Sequence, residues 1–196
     1  MPKDTFYNLS DDKKRKVFDA AVQEFSIRRF SEASINQIIK TAEIPRGSFY
    51  QYFAGKEDIF RYMFEEILKE KREIMLRAEN FDPNADVFEL CLQTTKDTFE
   101  WGRLKPEYSQ ISMLMEIDNS EFITNLRSDS LEGLKKLIER DKTRGRIKPE
   151  TDSYLVADMI YALIWKQYSL TGFDKERFLK RINDGLQILK DGIAAG

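Results

Sequence analysis

Residues 34–57 read Ser34-Ile-Asn-Gln-Ile-Ile-Lys-Thr-Ala-Glu-Ile-Pro-Arg-Gly-Ser-Phe-Tyr-Gln-Tyr-Phe-Ala-Gly-Lys-Glu57, and this stretch decides the fold. Ser34-x-x-Gln37 has the form of a capping box. Ile35, Ile38, Ile39 and Ala42 follow at i, i+3, i+4 and i+7, the apolar stripe of a helix of about two turns. Glu43-Ile44-Pro45 breaks it, and Pro45 suits a first helical position, where its missing N–H would be unpaired anyway. Arg46 to Phe53 then reads as a very short helix ended near Ala54-Gly55. Two short helices joined by so tight a turn are a helix-turn-helix candidate, although a plain packing corner has the same pattern. The second helix carries more information. Phe49 and Phe53, four apart, can anchor it to the Ile38/Ile39 stripe, while Arg46, Ser48, Tyr50, Gln51 and Tyr52 offer polar groups. A dry anchor under a hydrogen-bonding face suits insertion in a major groove. Gly47 removes bulk where backbone could approach phosphates.

Outward from this stretch the periodicity stays helical. A helix is expected after Ser10, with Asp11 and Asp12 at its positive end and Val17, Ala20, Ala21, Val22 and Phe25 on one buried face. Lys13, Lys14, Arg15 and Lys16 form a basic run near its start. From Lys56 the pattern runs to about Asn80, roughly 36 Å of helix, and Phe81-Asp82-Pro83-Asn84 stops it. Five more helices are expected, over about 86–101, 106–117, 120–144, 150–169 and 174–192. Gly145 behind Lys142 and Arg144 is a C-terminal stop signal for the third of these. The fold class is therefore all-α, with about nine helices.

The composition narrows the function. The chain has 196 residues, 41% of them hydrophobic, enough for a packed core, and a net charge of −2. With no histidine, Ser-His-Asp and Cys-His catalysis and histidine metal sites are excluded. One cysteine, Cys91, excludes an intrachain disulfide and any four-cysteine site. No phosphate loop or dinucleotide fingerprint occurs. We therefore expect no enzyme, no metal and no cofactor. No apolar run approaches the roughly 18 residues of a membrane span, and nothing behind Met1-Pro2-Lys3 resembles a signal region, so a cytoplasmic protein without membrane contact is expected.

Residues 34–57, and above all Arg46-Gly47-Ser48-Phe49-Tyr50-x-Tyr52-Phe53-x-x-Lys56-Glu57, are similar to the DNA-binding signature of the TetR family of transcriptional regulators. The resemblance covers about residues 10–65. It implies a three-helix helix-turn-helix head (1–55, completed by 56–65) joined by a long helix to a helical ligand-binding and dimerisation domain (56–196). It also implies that Ser34 caps its helix and touches a phosphate, that Arg46, Gly47, Ser48 and Gln51 face the groove, that Tyr50 and Tyr52 give hydroxyls to the DNA backbone, and that Lys56 meets a phosphate. Arg46 is the candidate reader of guanine, since its fork matches O6 and N7, a contact worth roughly 1–3 kcal/mol. Two positions depart from the pattern. Glu43 stands where a turn glycine is usual, and a left-handed non-glycine costs on the order of 1 kcal/mol; Pro45 stands where a hydroxyl cap is common. Residues 1–60 hold ten Lys/Arg and nine Asp/Glu, so the head is only +1. Lys13 to Lys16, Arg28, Arg29, Lys40, Arg46 and Lys56 would have to share a face, and affinity for double-stranded DNA should then depend strongly on salt.

In the C-terminal part, 155–165 is apolar on every side except Asp158, and such a helix needs covering on two sides. Tyr154, Tyr161, Ile164 and Tyr168 of this helix, with Phe178, Ile182, Leu186, Leu189 and Ile193 of the last one, are the expected homodimer interface, in agreement with the resemblance. Two-fold symmetry then implies a palindromic operator. Candidate pocket residues are Phe88, Cys91, Leu92, Thr95, Phe99 and Trp101, then Tyr108, Ile111, Met115, Phe122 and Leu126, with Trp165; the same stripe also reads as plain core. It favours a hydrophobic or amphipathic effector. Glu100 and Glu116 could meet a cationic drug or simply be solvated. The resemblance implies a ligand-released repressor; a helical adaptor without DNA binding is the alternative.

Overall fold

The computed structural model describes residues 1–77, 82, 84–171 and 174–193. Ten helices are present among the described residues: α1 (Asp4–Tyr7), α2 (Asp11–Ile27), α3 (Ile35–Thr41), α4 (Arg46–Tyr52), α5 (Lys56–Arg77), α6 (Val87–Leu104), α7 (Pro106–Glu116), α8 (Glu121–Thr143), α9 (Ser153–Thr171) and α10 (Lys175–Ile193). No β-strand occurs among the described residues. The helix not foreseen is α1, a single turn too short for periodicity to reveal. The expected end of the long helix near Asn80, and Phe81 and Pro83 of its stop, lie outside the described residues.

The helix ends show which local signals act and which do not. Ser10 and Ser34 stand at their N-caps in extended conformation, but neither side chain caps. The capping box at Ser34 does not form. The buried Glu24 carboxylate of α2 accepts the Ser34 N–H at 2.9 Å, and Gln37 turns to Thr41 instead. Pro45 is the N-cap of α4 rather than its first helical residue. At the far end of α8, Gly145 has φ 67°, its N–H reaches the Lys142 carbonyl at 3.0 Å and that of Arg146 reaches Asp141 at 2.9 Å. This is the Schellman motif that the glycine announces. The end of α3 repeats it without glycine. Glu43 has φ 55°, its N–H reaches Lys40 at 3.3 Å and that of Ile44 reaches Ile39 at 3.2 Å.

The chain forms two compact units, residues 1–73 with 105–125, and 74–104 with 126–196. They do not coincide with a division at residue 55, because α7 packs on α2 in the first unit, with Phe18 and Tyr108 edge to face at 6.4 Å. The foreseen face of α2 is in that unit's core, Val17 and Ala21 fully buried with Ala20, Val22 and Phe25. Aromatic rings continue it. Phe25, Phe30 and Phe60 cluster, and Phe122 joins them 4.6 Å from Phe30.

In the second unit α6, α9 and α10 pack with α8 around Phe88, Phe99, Ile138, Ile160, Phe178 and Ile182. Gly185 admits the close approach of α9, since a Cβ there would stand 2.7 Å from Leu163.

Candidate nucleic-acid interface

Helix α4 has a buried apolar side and an exposed polar one. Phe49 and Phe53 are fully buried with their rings 5.5 Å apart, over the fully buried Ile38 of α3. Arg46, Gly47, Tyr50 and Gln51 are exposed, and Ser48 and Tyr52 are half-buried. Positions 46, 47, 50 and 51 fall on one side of a 3.6-residue turn, so the outer face is polar and continuous. Arg46 is already oriented. Its Nη1 donates to Oδ1 of Asn36 at 3.1 Å, and its guanidinium carbon lies 5.9 Å from the centre of the Tyr50 ring. Asn36, exposed on α3, was not singled out in the sequence; its place one residue into a helix facing Arg46 was visible only in three dimensions.

Lys56 has a different role in the free protein from the phosphate contact expected. Its Nζ donates to the carbonyls of Ser31 at 3.2 Å and Ala33 at 3.1 Å and lies 4.8 Å from the Phe30 ring. It ties the α2–α3 connection to α5. The same connection is held from the other side, where the Asp118 carboxylate accepts the Ser31 N–H at 2.8 Å and the Ser120 N–H at 2.9 Å. Burial pushes the Asp118 carboxyl up, yet these N–H donors hold it down at about 2.

The basic run is largely neutralised. Lys14 pairs with Asp11, Arg15 with Asp19 and Lys16 with Glu43 at 3.4 Å, while Arg28 and Arg29 pair with Glu24 and Glu32. Among the described head cations named above, Lys13 and Lys40 alone make no side-chain hydrogen bond, ion pair or ring contact, so the others are already engaged within the free head.

The N-terminal residues form an unforeseen part of this surface. Lys3 N–H donates to the Tyr52 carbonyl at 2.8 Å, Lys3 Nζ to the Tyr50 carbonyl at 2.9 Å, and Thr5 Oγ1 to the Gln51 carbonyl. Phe6 of α1 is buried against Phe53 and Tyr62, each 4.9 Å away.

The candidate pocket residues fall into both units. Phe88, Thr95 and Phe99 are buried in the second, with Cys91 and Leu92 packed on its core, and Leu126 is buried there too, while Trp101 is half-buried. Trp165 lies between Tyr161 and Tyr168, 6.0 and 6.2 Å from their rings. Tyr108, Ile111 and Met115 are buried in the first unit, where Phe122 joins the phenylalanine cluster. Two clefts of the first unit, of about 410 and 590 Å³, share Arg15, Phe18 and Tyr108. Tyr108 alone of the twelve lines them.

The expected dimer residues differ in how far their own chain covers them. Phe178, Ile182 and Leu186 are consumed by the core of their own chain, and Ile164, Tyr168, Leu189 and Ile193 pack against it. Tyr161 of α9 is half-buried. Tyr154 is exposed but carries the Lys135 ammonium 3.8 Å over its ring. The apolar residues left open are Leu155, Met159 and Leu170 on α9 and Ile188, 73% exposed, on α10. For Leu155 and Met159 the signal was the second apolar side of 155–165.

No described helix is long and apolar enough to cross a membrane, and the described residues hold no cluster of three or more metal-ligating side chains. A buried-anchor helix of this kind, presented after a tight turn, defines a helix-turn-helix DNA-binding protein. Comparison with known proteins agrees. Residues 17–63 match the model described as bacterial regulatory proteins, tetR family. The chain is 26% identical over 164 residues to the uncharacterized HTH-type transcriptional regulator YdgC of Bacillus subtilis, covering 81% of this chain and 82% of that one. It is similar in fold to a TetR family regulator of Chloroflexus aurantiacus (TM-score 0.71, 22% identity, all of both chains). It is similar also to FadR of Bacillus subtilis, solved in complex with stearoyl-CoA (TM-score 0.68, 21% identity, 92% and 99% of the chains). Residues 17–63 are thus similar to the N-terminal domain of TetR family regulators, and the fold of the chain is that of the solved members.

Proposed function

We propose that this chain is a homodimeric repressor that binds a palindromic operator and is released from it by a small hydrophobic or amphipathic effector. Residues 1–55, completed by 56–65, act as the DNA-binding head, and 56–196 bind effector and partner. The observation that carries the reading is α4, whose exposed Arg46, Gly47, Tyr50 and Gln51 stand over the fully buried Phe49 and Phe53. Arg46, Gly47, Ser48 and Gln51 face the groove, Arg46 reading guanine, while Ser34, Tyr50, Tyr52 and Lys56 meet the phosphate backbone, Lys56 by leaving its carbonyl partners. Leu155, Met159, Leu170 and Ile188 supply the partner face, which one chain leaves in water. The stearoyl-CoA bound by a protein of similar fold supports an effector with a long apolar portion.

Release follows from population shift. An effector that binds better when the two heads are wrongly spaced for successive major grooves must weaken DNA binding by its differential affinity for the two states. Fluorescence anisotropy tests this on an operator chosen by the protein from random-sequence DNA. The expected result is saturable binding of two chains per palindrome, reversed by stearoyl-CoA or by another amphipathic compound from a screen. Retention of DNA at saturating effector would end the release mechanism. Absence of binding to any sequence would favour the adaptor reading.

A further inference from the structure

We infer that Lys3, Thr5 and Phe6 are positioning residues, a clamp that fixes the backbone of the recognition helix where it meets DNA. The inference rests on the DNA-binding reading of α4. That helix has seven residues, and a helix so short is marginal on its own, with its last carbonyls unpaired within it. Phe53 follows in extended conformation, so the helix cannot continue to satisfy them. Three consecutive carbonyls, those of Tyr50, Gln51 and Tyr52, are instead taken by Lys3 Nζ, Thr5 Oγ1 and Lys3 N–H. The Lys3 ammonium also lies at the negative end of the helix dipole. Phe6, 1% exposed, locks the segment to Phe53, Tyr62 and Tyr52. Two of the three residues so held, Tyr50 and Gln51, belong to the exposed outer face. Residues 3–6 lie outside the stretch that matches the family model.

Thr5→Val in the full chain removes the hydroxyl donor while keeping shape and charge, and Lys3→Met removes the ammonium while keeping its stem. On the selected operator each should raise Kd about three- to tenfold, the loss of one hydrogen bond. The rise should be equal for operator variants with single base changes. The slope of log K against log salt should stay constant, because no phosphate contact is lost, and Thr5→Ser should restore binding. If Lys3→Met lowers that slope by about 0.9 per chain while Thr5→Val is silent, Lys3 is a phosphate ligand and the clamp is overturned. Unchanged Kd in both variants overturns it as well. If the wild type selects no DNA sequence, the DNA-binding reading fails, and hydrogen exchange judges the clamp by itself. Faster exchange of the α4 amides in Thr5→Val supports it, and unchanged exchange refutes it.

Discussion

At the scale of single residues, Arg46 and Asn36 form one unit. A guanidinium held by a side-chain carbonyl 3.1 Å away has less freedom to lose on binding a base, as proposed for Arg46. We predict that Arg46→Ala flattens the preference for guanine at one position of each half-site, losing roughly 1–3 kcal/mol of discrimination. Asn36→Ala should weaken the same position and no other, and the double variant should lose less than the sum of the two. Selection profiles of the three variants check this; independent, additive losses would break the link. Glu43 gives a second prediction. It occupies the left-handed C′ position of a Schellman motif that Gly145 fills elsewhere in the chain without strain. Glu43→Gly should therefore stabilise the fold by about 1 kcal/mol, raising the thermal midpoint by roughly 2–4 °C. Its exposed pair with Lys16 offers little to lose.

At the scale of elements, the α2–α3 connection is held by Lys56 of α5 on one side and Asp118, after α7, on the other. The folded Asp118 carboxyl titrates at about 2, below the ordinary value of 3.8. A depressed carboxyl supplies stability that is complete above about pH 4. It is lost as the pH falls toward 2, because protonation then removes the charge that the two N–H groups favour. Asp118→Asn should accordingly be less stable than the wild type at pH 7 and approach it as the pH falls to 2. Thermal unfolding across that range measures the difference, and parallel curves would contradict the assignment.

At the scale of the whole molecule, the proposed dimer rests on the outer apolar residues of α9 and α10. Leu155→Glu or Met159→Glu places a charge on a surface that is open in one chain, so the fold should survive while the dimer separates. Ile182→Glu buries a charge in a closed core and should prevent folding. Analytical ultracentrifugation with circular dichroism separates the two outcomes. A Leu155→Glu chain that stays dimeric would move the interface elsewhere.

Much of this protein is written locally. The periodicity of 17–25 and 35–42, the break at Glu43–Pro45 and the glycine at 145 determine helices, turn and stop, because backbone hydrogen bonding and side-chain spacing act over a few residues. The resemblance of residues 34–57 to the TetR signature gave the class and the outer face of α4 for the same reason. Four matters were decided only by the tertiary structure. Glu24 takes the cap position expected of Gln37, Asn36 orients Arg46, residues 3–6 seal the end of α4, and Phe178, Ile182 and Leu186 turn inward rather than toward a partner. Each joins residues far apart in the chain or chooses between two faces of one apolar helix. Periodicity states that a face is apolar; only packing determines which surface covers it.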